Sequence, residues 1–258
     1  MKAFFRRRAQ KINPFPEIEI AENKGVRTLH LGNSVVQSAM RLKDPFALEL
    51  AYTQAMFAWL PFLPTPRRIL MVGLGGGSIA KFIYQNLPDI DLTVVEINPQ
   101  VVQAARQYFL VPENNARFRV VLEDGAAYVA TRVGRFDAIL LDGYNGLERS
   151  PELMTNLFYS DCLRALRPNG CLVFNLWGSH KHFGHYIEEI GRLFAGVAGH
   201  LSPDKDGNVV AFGFKQAPQL PPQTVWEQAQ RLENRLGLPL TDFCSELANQ
   251  PLWQHLPV

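Results

Sequence analysis

The sequence predicts an α/β fold in which helices cover both faces of a parallel sheet. Three observations predict it. Apolar, strand-like runs alternate with amphipathic segments between residues 68 and 195, a glycine cluster ends the first run, and an acidic residue ends the second. Strands that alternate with helices form parallel sheets, and a glycine turn after the first strand is typical of their ligand sites. The chain has 258 residues, 47% of them hydrophobic, enough for one large domain or one domain with a small appendage.

The charge of the chain is uneven. The net charge is +2, but five of the 26 basic residues lie within the first eleven positions. The rest of the chain has 21 basic against 24 acidic residues, a net charge of −3. This part therefore lacks the excess of basic residues that is typical of nucleic-acid-binding proteins. Residues 1–16 are expected to form a basic, mobile terminus, and the alternative is a contact with an anionic partner.

Three further properties predict a cytoplasmic protein that binds no membrane. No apolar run approaches the length of a membrane span, and the charged start lacks the apolar stretch of a signal peptide. The three cysteines form an odd, scattered set that suits a reducing compartment better than a disulfide framework.

Residues 17–60 predict a small β cap followed by a linking helix. Two turns separate three short segments with strand character. We refer to these three strands as the β cap; they are expected at residues 17–22, 26–31 and 34–38. Residues 44–60 carry apolar side chains at helical spacing, and Asp44 and Pro45 suit the N-cap and first turn of a helix.

Residues 61–216 predict the sheet itself, and residues 217–258 predict a helical extension. The core strands are expected at residues 68–73, 92–97, 118–124, 136–142 and 170–176. The intervening helices are expected at residues 78–86, 99–108, 125–132, 152–166 and 181–195. A turn at 204–208 before an apolar run predicts an antiparallel hairpin at the sheet edge. The extension is expected to contain helices at residues 223–236 and 240–249.

The glycine cluster predicts a site for a nucleoside-bearing ligand. Gly73, Gly75 and Gly77 allow a tight turn and let a ligand approach bare backbone. The N–H groups at the following helix start favour negative or electron-rich atoms. Glu96 ends the next strand, nineteen residues after Gly77, where a carboxylate accepts both hydroxyls of a ribose.

Acidic residues also end the next two strands. Ligands bind beyond the carboxyl ends of parallel strands, and carboxylates near a core are costly unless something offsets their charge. Asp124, with Gly125 after it, is expected to accept the exocyclic amine of adenine; the alternative is an N-cap of the following helix. Asp142 is expected to act as a general base for an amine, and the alternative is a simple turn residue.

At these residues the sequence resembles the polyamine aminopropyltransferases, the spermidine synthase family. The likeness runs from about Ile18 to Lys215 and includes the glycine loop, Glu96, the segment 123–128 and Asp142, which matches the first acid of the family's Asp-Ser-Ser-Asp-Pro signature. The resemblance implies a methyltransferase-like Rossmann sheet with a small N-terminal β domain.

The resemblance also implies the reaction and further site residues. The donor would be decarboxylated S-adenosylmethionine, the acceptor a small-molecule amine such as putrescine, and Asp142 the base, with no metal. Gln37 would contact the donor, while Tyr144 and Asn145 would line the acceptor pocket. Tyr52 lies one place from the family's Tyr-His/Gln-Glu triplet and is a further candidate for acceptor binding. Members of the family are often dimers, so the resemblance implies a homodimer.

The chain departs from the family pattern at two positions. Gly76 stands where the loop usually has an Asp that binds the donor's amine, and Asn145 replaces the second acid of the signature. A dicationic acceptor needs several carboxylates or aromatic rings to offset its charge. Two alternatives therefore stay open: a methyltransferase that uses intact S-adenosylmethionine, and a non-catalytic nucleoside-binding protein that has lost its acceptor site.

Two other groups of residues have less specific patterns. His180, His182 and His185 fall within six residues, but no cysteine is near and neither transfer reaction needs a metal, so a partly exposed helix start is expected. Asn175 and Trp177 end the fifth core strand; they either border the pocket or, for Trp177, pack under the β cap.

Overall fold

The computed structural model describes residues 15–63, 65–145, 148–149, 151–178, 183–203 and 207–257, without the side chains of residues 144, 145, 148, 149, 151 and 152. The N-terminal residues 1–14 therefore lie outside the described residues.

The β cap is a three-stranded antiparallel sheet. Its strands are β1 (Ile18–Asn23), β2 (Val26–Leu31) and β3 (Ser38–Arg41), in that order across the sheet. Lys24 and Gly25 both have positive φ, 48° and 79°, as a tight hairpin turn requires. The third strand begins at Ser38 and not at residue 34, because Asn33 accepts a hydrogen bond from the backbone of Val35 and forms a turn instead.

The prediction of one linking helix over residues 44–60 is wrong. The helical part is limited to α1 (Ala51–Ala55), followed by a 3₁₀ turn at Leu60–Phe62. Asp44 forms a bridge with Arg41 in a turn, so it caps no helix. Most apolar side chains of this stretch are buried, including those in the turns after α1. Their spacing therefore does not mark one buried face of a helix.

The core is a mixed seven-stranded sheet flanked by helices. Its first half comprises β4 (Arg68–Val72), α2 (Ser78–Asn86), β5 (Asp91–Glu96), α3 (Pro99–Phe109), β6 (Phe118–Leu122) and α4 (Gly125–Ala130). Its second half comprises β7 (Phe136–Leu141), the short strands β8 (Tyr144–Asn145) and β9 (Glu148–Arg149) outside the main sheet, α5 (Asn156–Ala165), β10 (Leu166–Trp177), α6 (Phe183–Leu193), β11 (Ala198–Leu201) and β12 (Asn208–Phe214).

The strand order is β11-β12-β10-β7-β4-β5-β6. The five neighbouring strands β10, β7, β4, β5 and β6 pair in parallel. Strand β12 pairs antiparallel with both β10 and β11. The predicted α/β class and the antiparallel edge hairpin are confirmed. The helix expected at 152–166 begins only at Asn156, because Thr155 provides its N-cap by accepting a hydrogen bond from the backbone N–H of Phe158.

Both faces of the sheet are buried. Along β4, Ile69 and Met71 pack into a cluster on one face, whereas Leu70 and Val72 pack into a second cluster on the other. Because successive side chains of a strand point to opposite faces, a sheet covered twice needs apolar residues at every position. This explains why β4 reads as a continuous apolar run.

The C-terminal helices are α7 (Pro222–Leu236), α8 (Leu240–Leu247) and α9 (Pro251–Gln254); α8 and α9 pack against the edge strand β11, and α7 packs against α8 and the 3₁₀ turn at Leu60–Phe62. The side chain of Gln250 bonds to both the N–H and the carbonyl of His200 on β11, at 2.8 Å each. This amide occupies hydrogen-bonding groups that an edge strand otherwise presents to solvent. In the part of the chain that the structure describes, no helix is long and apolar enough to cross a membrane.

Candidate active site

A cavity of about 450 Å³ opens at the carboxyl ends of the central strands. The strand order reverses here, since β5 lies on one side of β4 and β7 on the other, and open parallel sheets bind ligands at such a point. The volume is within the usual range for small-molecule sites. The predicted site residues that line the cavity are Gln37, Tyr52, Gly73, Gly75, Glu96, Asp124, Gly125 and Asp142.

Two glycines of the loop are needed because neighbouring atoms leave no space for a side chain. Gly73 has a φ of 95°, and a Cβ there would overlap the backbone carbonyl of Asp142 at the end of the neighbouring strand. Gly77 has a φ of 70° and is the N-cap of α2, but it does not line the cavity, and a Cβ there would overlap Val111. Gly77 therefore shapes the loop, whereas Gly73 and Gly75 expose backbone to the cavity.

Gly76 is a glycine because strand β3 leaves no room for a side chain. A Cβ at this position would lie 2.7 Å from the hydroxyl oxygen of Ser38 and 3.0 Å from the ring of Phe109. The Ser38 hydroxyl in turn lies 3.2 Å from that of Ser78, the first residue of α2. Both serines line the cavity, so hydroxyl groups of the β cap and of α2 meet next to Gly76.

Glu96 is held by the backbone that surrounds it. The residue is 8% exposed; its Oε2 accepts the N–H of Leu74 at 2.9 Å, and its Oε1 accepts the N–H of Asn98 at 2.8 Å. Burial raises the pKa of Glu96, and the backbone N–H groups counteract that rise. Each carboxylate oxygen accepts more than one hydrogen bond, so both can still receive a ligand hydroxyl.

Asp124 is the N-cap of α4 and also lines the cavity. Its Oδ1 accepts the N–H of Ala127 at 2.8 Å. The two interpretations of this residue are thus compatible, because one oxygen caps the helix on a residue that borders the ligand site. Gly125 follows where α4 approaches β4, and a Cβ there would meet the side chain of Val72 at 2.5 Å.

Asp142 is contacted by side chains from two other parts of the chain. The amide of Asn175 donates to its Oδ1 at 2.7 Å, and the hydroxyl of Tyr52 lies 3.5 Å from its Oδ2. Asn175 is only 2% exposed, and its own Oδ1 accepts the amide of Asn208 at 2.8 Å. At 3.5 Å the Tyr52 contact is long for a hydrogen bond.

Sequence reasoning missed Asn208 and Ser38. Asn208 falls at the end of a predicted turn, where an asparagine is ordinary, and Ser38 falls at the end of a predicted strand. The register of β10 with β12 places Asn208 opposite Trp177, two residues from Asn175. A prediction of this register would therefore have indicated that Asn208 lies near the site. Trp177 lines the cavity and is 38% exposed, so it borders the pocket and is not buried under the cap.

Several predicted residues cannot be compared with the geometry. Tyr144 and Asn145 form β8, but their side chains lie outside the described part, as do His180 and His182. The third histidine, His185, lies 3.2 Å from Glu189 on α6. Among the residues that the structure describes, no three metal-ligating side chains cluster together.

Comparison with known sequences identifies the family of the chain, and comparison with solved structures identifies proteins of similar fold. The family model described as "Spermine/spermidine synthase domain" matches residues 49–198. A polyamine aminopropyltransferase of Chromobacterium violaceum is 42% identical over 99% of both chains. Among solved structures, a probable spermidine synthase from Corynebacterium glutamicum is similar with a TM-score of 0.69 and 22% identity, over 84% of both chains. A spermidine synthase solved with the transition-state analogue AdoDATO has a TM-score of 0.67 and 19% identity, over 88% of this chain and 86% of the other.

Proposed function

Because the chain belongs to the spermine/spermidine synthase family, we propose that it transfers an aminopropyl group from decarboxylated S-adenosylmethionine to a small-molecule amine. The family resemblance expected from the sequence is confirmed by these matches. One observation carries the proposal: a single cavity contains both the carboxylates expected to bind the nucleoside, Glu96 and Asp124, and the carboxylate expected to take a proton, Asp142.

The nucleoside half of the donor would bind at the ends of β5 and β6. Glu96 would accept the ribose hydroxyls, since backbone N–H groups fix the orientation of its carboxylate. Asp124 would accept the amine of adenine, and Gln37 of the β cap would cover the donor beside Gly73 and Gly75. The spermidine synthase neighbour, solved with AdoDATO, supports an S-adenosyl type of donor.

The reaction would be a direct displacement. The neutral nitrogen of the acceptor attacks the propyl carbon that is bonded to the sulfonium, a C–N bond forms, and the C–S bond breaks with its electron pair moving to sulfur. The products are methylthioadenosine and the aminopropylated amine, whose extra proton passes to the carboxylate of Asp142. Holding nitrogen, carbon and sulfur in line contributes through orientation, and a placed base contributes typically about 10²- to 10⁴-fold.

The acceptor would approach from the side of Tyr52 and Trp177. Both residues line the cavity, and aromatic rings bind ammonium groups through their negative faces. Tyr144 and Asn145 follow Asp142 after the single residue Gly143, and we propose that they extend the acceptor pocket.

Substitution Asp142→Asn tests the proposed base. We expect the variant to bind the donor within about twofold of wild type, whereas turnover falls about 10²- to 10⁴-fold, since the amide accepts no proton. The measurement is release of methylthioadenosine from decarboxylated S-adenosylmethionine with a panel of primary amines and diamines. Asp89→Asn is the matched control, because Asp89 is an exposed aspartate that does not line the cavity. Near wild-type turnover by a folded Asp142→Asn variant would exclude Asp142 as the base.

A further inference from the structure

Two asparagines connect Asp142 to the adjacent strands. Asn208 Nδ2 donates to Asn175 Oδ1 at 2.8 Å, and Asn175 Nδ2 donates to Asp142 Oδ1 at 2.7 Å. Asn208 begins β12, Asn175 lies on β10, and Asp142 follows β7, which are three neighbouring strands of the sheet. All three residues line the cavity.

The direction of this chain of hydrogen bonds is fixed. An asparagine side chain has one donor end and one acceptor end. Since the oxygen of Asn175 accepts from Asn208, its NH₂ group must face Asp142. An N–H donated to a carboxylate favours the ionised form and is stronger than a bond between neutral groups. The asparagine pair therefore stabilises the charged state that a base needs before it accepts a proton.

Burial makes the arrangement rigid. Asn175 is 2% exposed, and a buried amide that lost either partner would leave a polar group without its hydrogen bond, which is unfavourable. Groups on strands of a sheet are also held more precisely than groups on loops. Asp142 itself follows the last residue of β7, so the asparagine pair supplies a fixed contact for a side chain at a strand end.

We propose that Asn175 and Asn208 are positioning residues that keep the Asp142 carboxylate ionised and in one orientation, so that its Oδ2 takes the proton of the acceptor amine. This inference rests on the proposed function, since it assigns a role in the same reaction. Asn175 acts on Asp142 directly, and Asn208 acts through Asn175.

Substitution Asn175→Leu removes the amide and keeps a similar volume. We expect kcat to fall about 10- to 100-fold, while KM for the donor stays within about twofold, because a hydrogen bond to a charged group is lost far from the nucleoside. The acidic limb of the pH–rate profile moves to higher pH, since the ionised carboxylate loses its donor. A merely structural role would change neither the profile nor the ratio of kcat to KM in this way.

Asn208→Ala gives a second, milder test, because Asn208 is only partly buried. We expect the same direction of change with a smaller effect. In the Asn175→Leu background Asn208→Ala should add nothing, since its effect passes through Asn175. Asn115→Ala, an exposed asparagine that does not line the cavity, is the matched control.

A titration that needs no turnover separates this inference from the proposed function. The carboxyl carbon of Asp142 is followed by ¹³C NMR from low to neutral pH in wild type and in both variants, and Asp142→Asn assigns the signal. We expect Asp142 to titrate at higher pH in Asn175→Leu, and to a lesser degree in Asn208→Ala. An unchanged titration in the folded variants, or equal effects of Asn208→Ala in both backgrounds, would overturn the positioning role. If the titration shifts in the variants as expected but the wild-type protein transfers no aminopropyl group, the positioning role stands and the proposed function is overturned.

Discussion

Glu96 and Asp142 are both carboxylates at the ends of parallel strands, but their surroundings differ. The oxygens of Glu96 are fixed by backbone N–H groups at 2.8 and 2.9 Å, whereas those of Asp142 contact the side chains of Asn175 and Tyr52. A carboxylate held by backbone is a fixed acceptor for ligand hydroxyls. The Asp142 carboxylate instead lies between Asn175 on the neighbouring strand β10 and Tyr52 on α1, and we propose that it exchanges a proton with substrate.

Substitution Glu96→Gln tests the nucleoside end of the cavity. We expect methylthioadenosine to bind about 10- to 100-fold more weakly by calorimetry, because the ribose hydroxyls lose hydrogen bonds to a charged acceptor. Glu123→Gln should bind it as wild type does, since Glu123 is an exposed carboxylate at the next strand end and does not line the cavity.

A ligand that lacks the hydroxyls completes this test. The 2′,3′-dideoxy analogue should bind wild type more weakly than methylthioadenosine, yet Glu96→Gln should bind the two ligands about equally, because the lost bonds are the same. If the variant discriminated between the ligands as strongly as wild type does, Glu96 would not contact the ribose.

The candidate site residues at the ends of strands were predictable from the sequence. Glu96, Asp124 and Asp142 each follow an apolar run, so sequence alone predicted that they meet at one edge of the sheet. The contacts that complete the site join distant positions: Ser38 meets Ser78 across 40 residues, and Asn175 meets Asn208 across 33. No local pattern contains such a pair, since a serine or asparagine near a turn has an ordinary local explanation.

At the scale of elements, the β cap is attached to the core through a buried lysine of α2. Lys81 is fully buried; its Nζ donates to the carbonyl of Pro45 at 2.7 Å, contacts Met40 Sδ at 3.1 Å, and lies 5.9 Å from the ring centre of Phe46. These partners lie on β3 and on the turn after it. The ammonium group therefore holds the end of the β cap against the helix that starts at the glycine loop.

Burial lowers the pKa of Lys81 from 10.5 to about 8. Between these two values the unfolded chain holds the proton and the folded protein does not, so the free energy of unfolding rises with pH across this window. Below pH 8 the lysine is charged in both states, and its contribution no longer changes. The gain across the whole window is on the order of 3 kcal/mol, at about 1.4 kcal/mol for each pH unit.

We expect Lys81→Met to lose this pH dependence. The free energy of unfolding, measured by urea denaturation between pH 7.5 and 10, should rise less steeply with pH in the variant than in wild type. Lys215→Met is the control: Lys215 also donates to a backbone carbonyl, at 3.0 Å, but it is an exposed residue. A Lys81→Met profile parallel to that of wild type would show that the buried lysine keeps an ordinary titration.

Elements with one dominant pattern were predicted well, and those with mixed burial were not. The core strands and helices lie within two residues of their predicted bounds, except that α5 begins at Asn156 instead of residue 152 and β10 begins at Leu166 instead of residue 170. The prediction of one linking helix was wrong because residues 55–60 are all buried. Their apolar side chains therefore do not mark the buried face of a helix with an exposed face opposite.

At the scale of the whole molecule, the cavity is formed where the β cap covers the point of strand reversal. The core supplies the glycine loop and the acids, Ser38 and Gln37 come from the start of β3 and the residue before it, and Tyr52 comes from α1. The sequence predicted both parts, but how they face each other depends on contacts such as that of Ser38 with Gly76, which only the assembled fold contains.

We propose that the cavity binds the decarboxylated donor and that its aminopropyl group is transferred there. The most direct measurement presents the purified protein with decarboxylated and intact S-adenosylmethionine side by side, with a panel of amines, and identifies the products by mass. We predict tighter binding of the decarboxylated donor, and methylthioadenosine together with an amine extended by one aminopropyl group. Preference for the intact donor, with S-adenosylhomocysteine and a methylated product, would show that the protein is a methyltransferase instead.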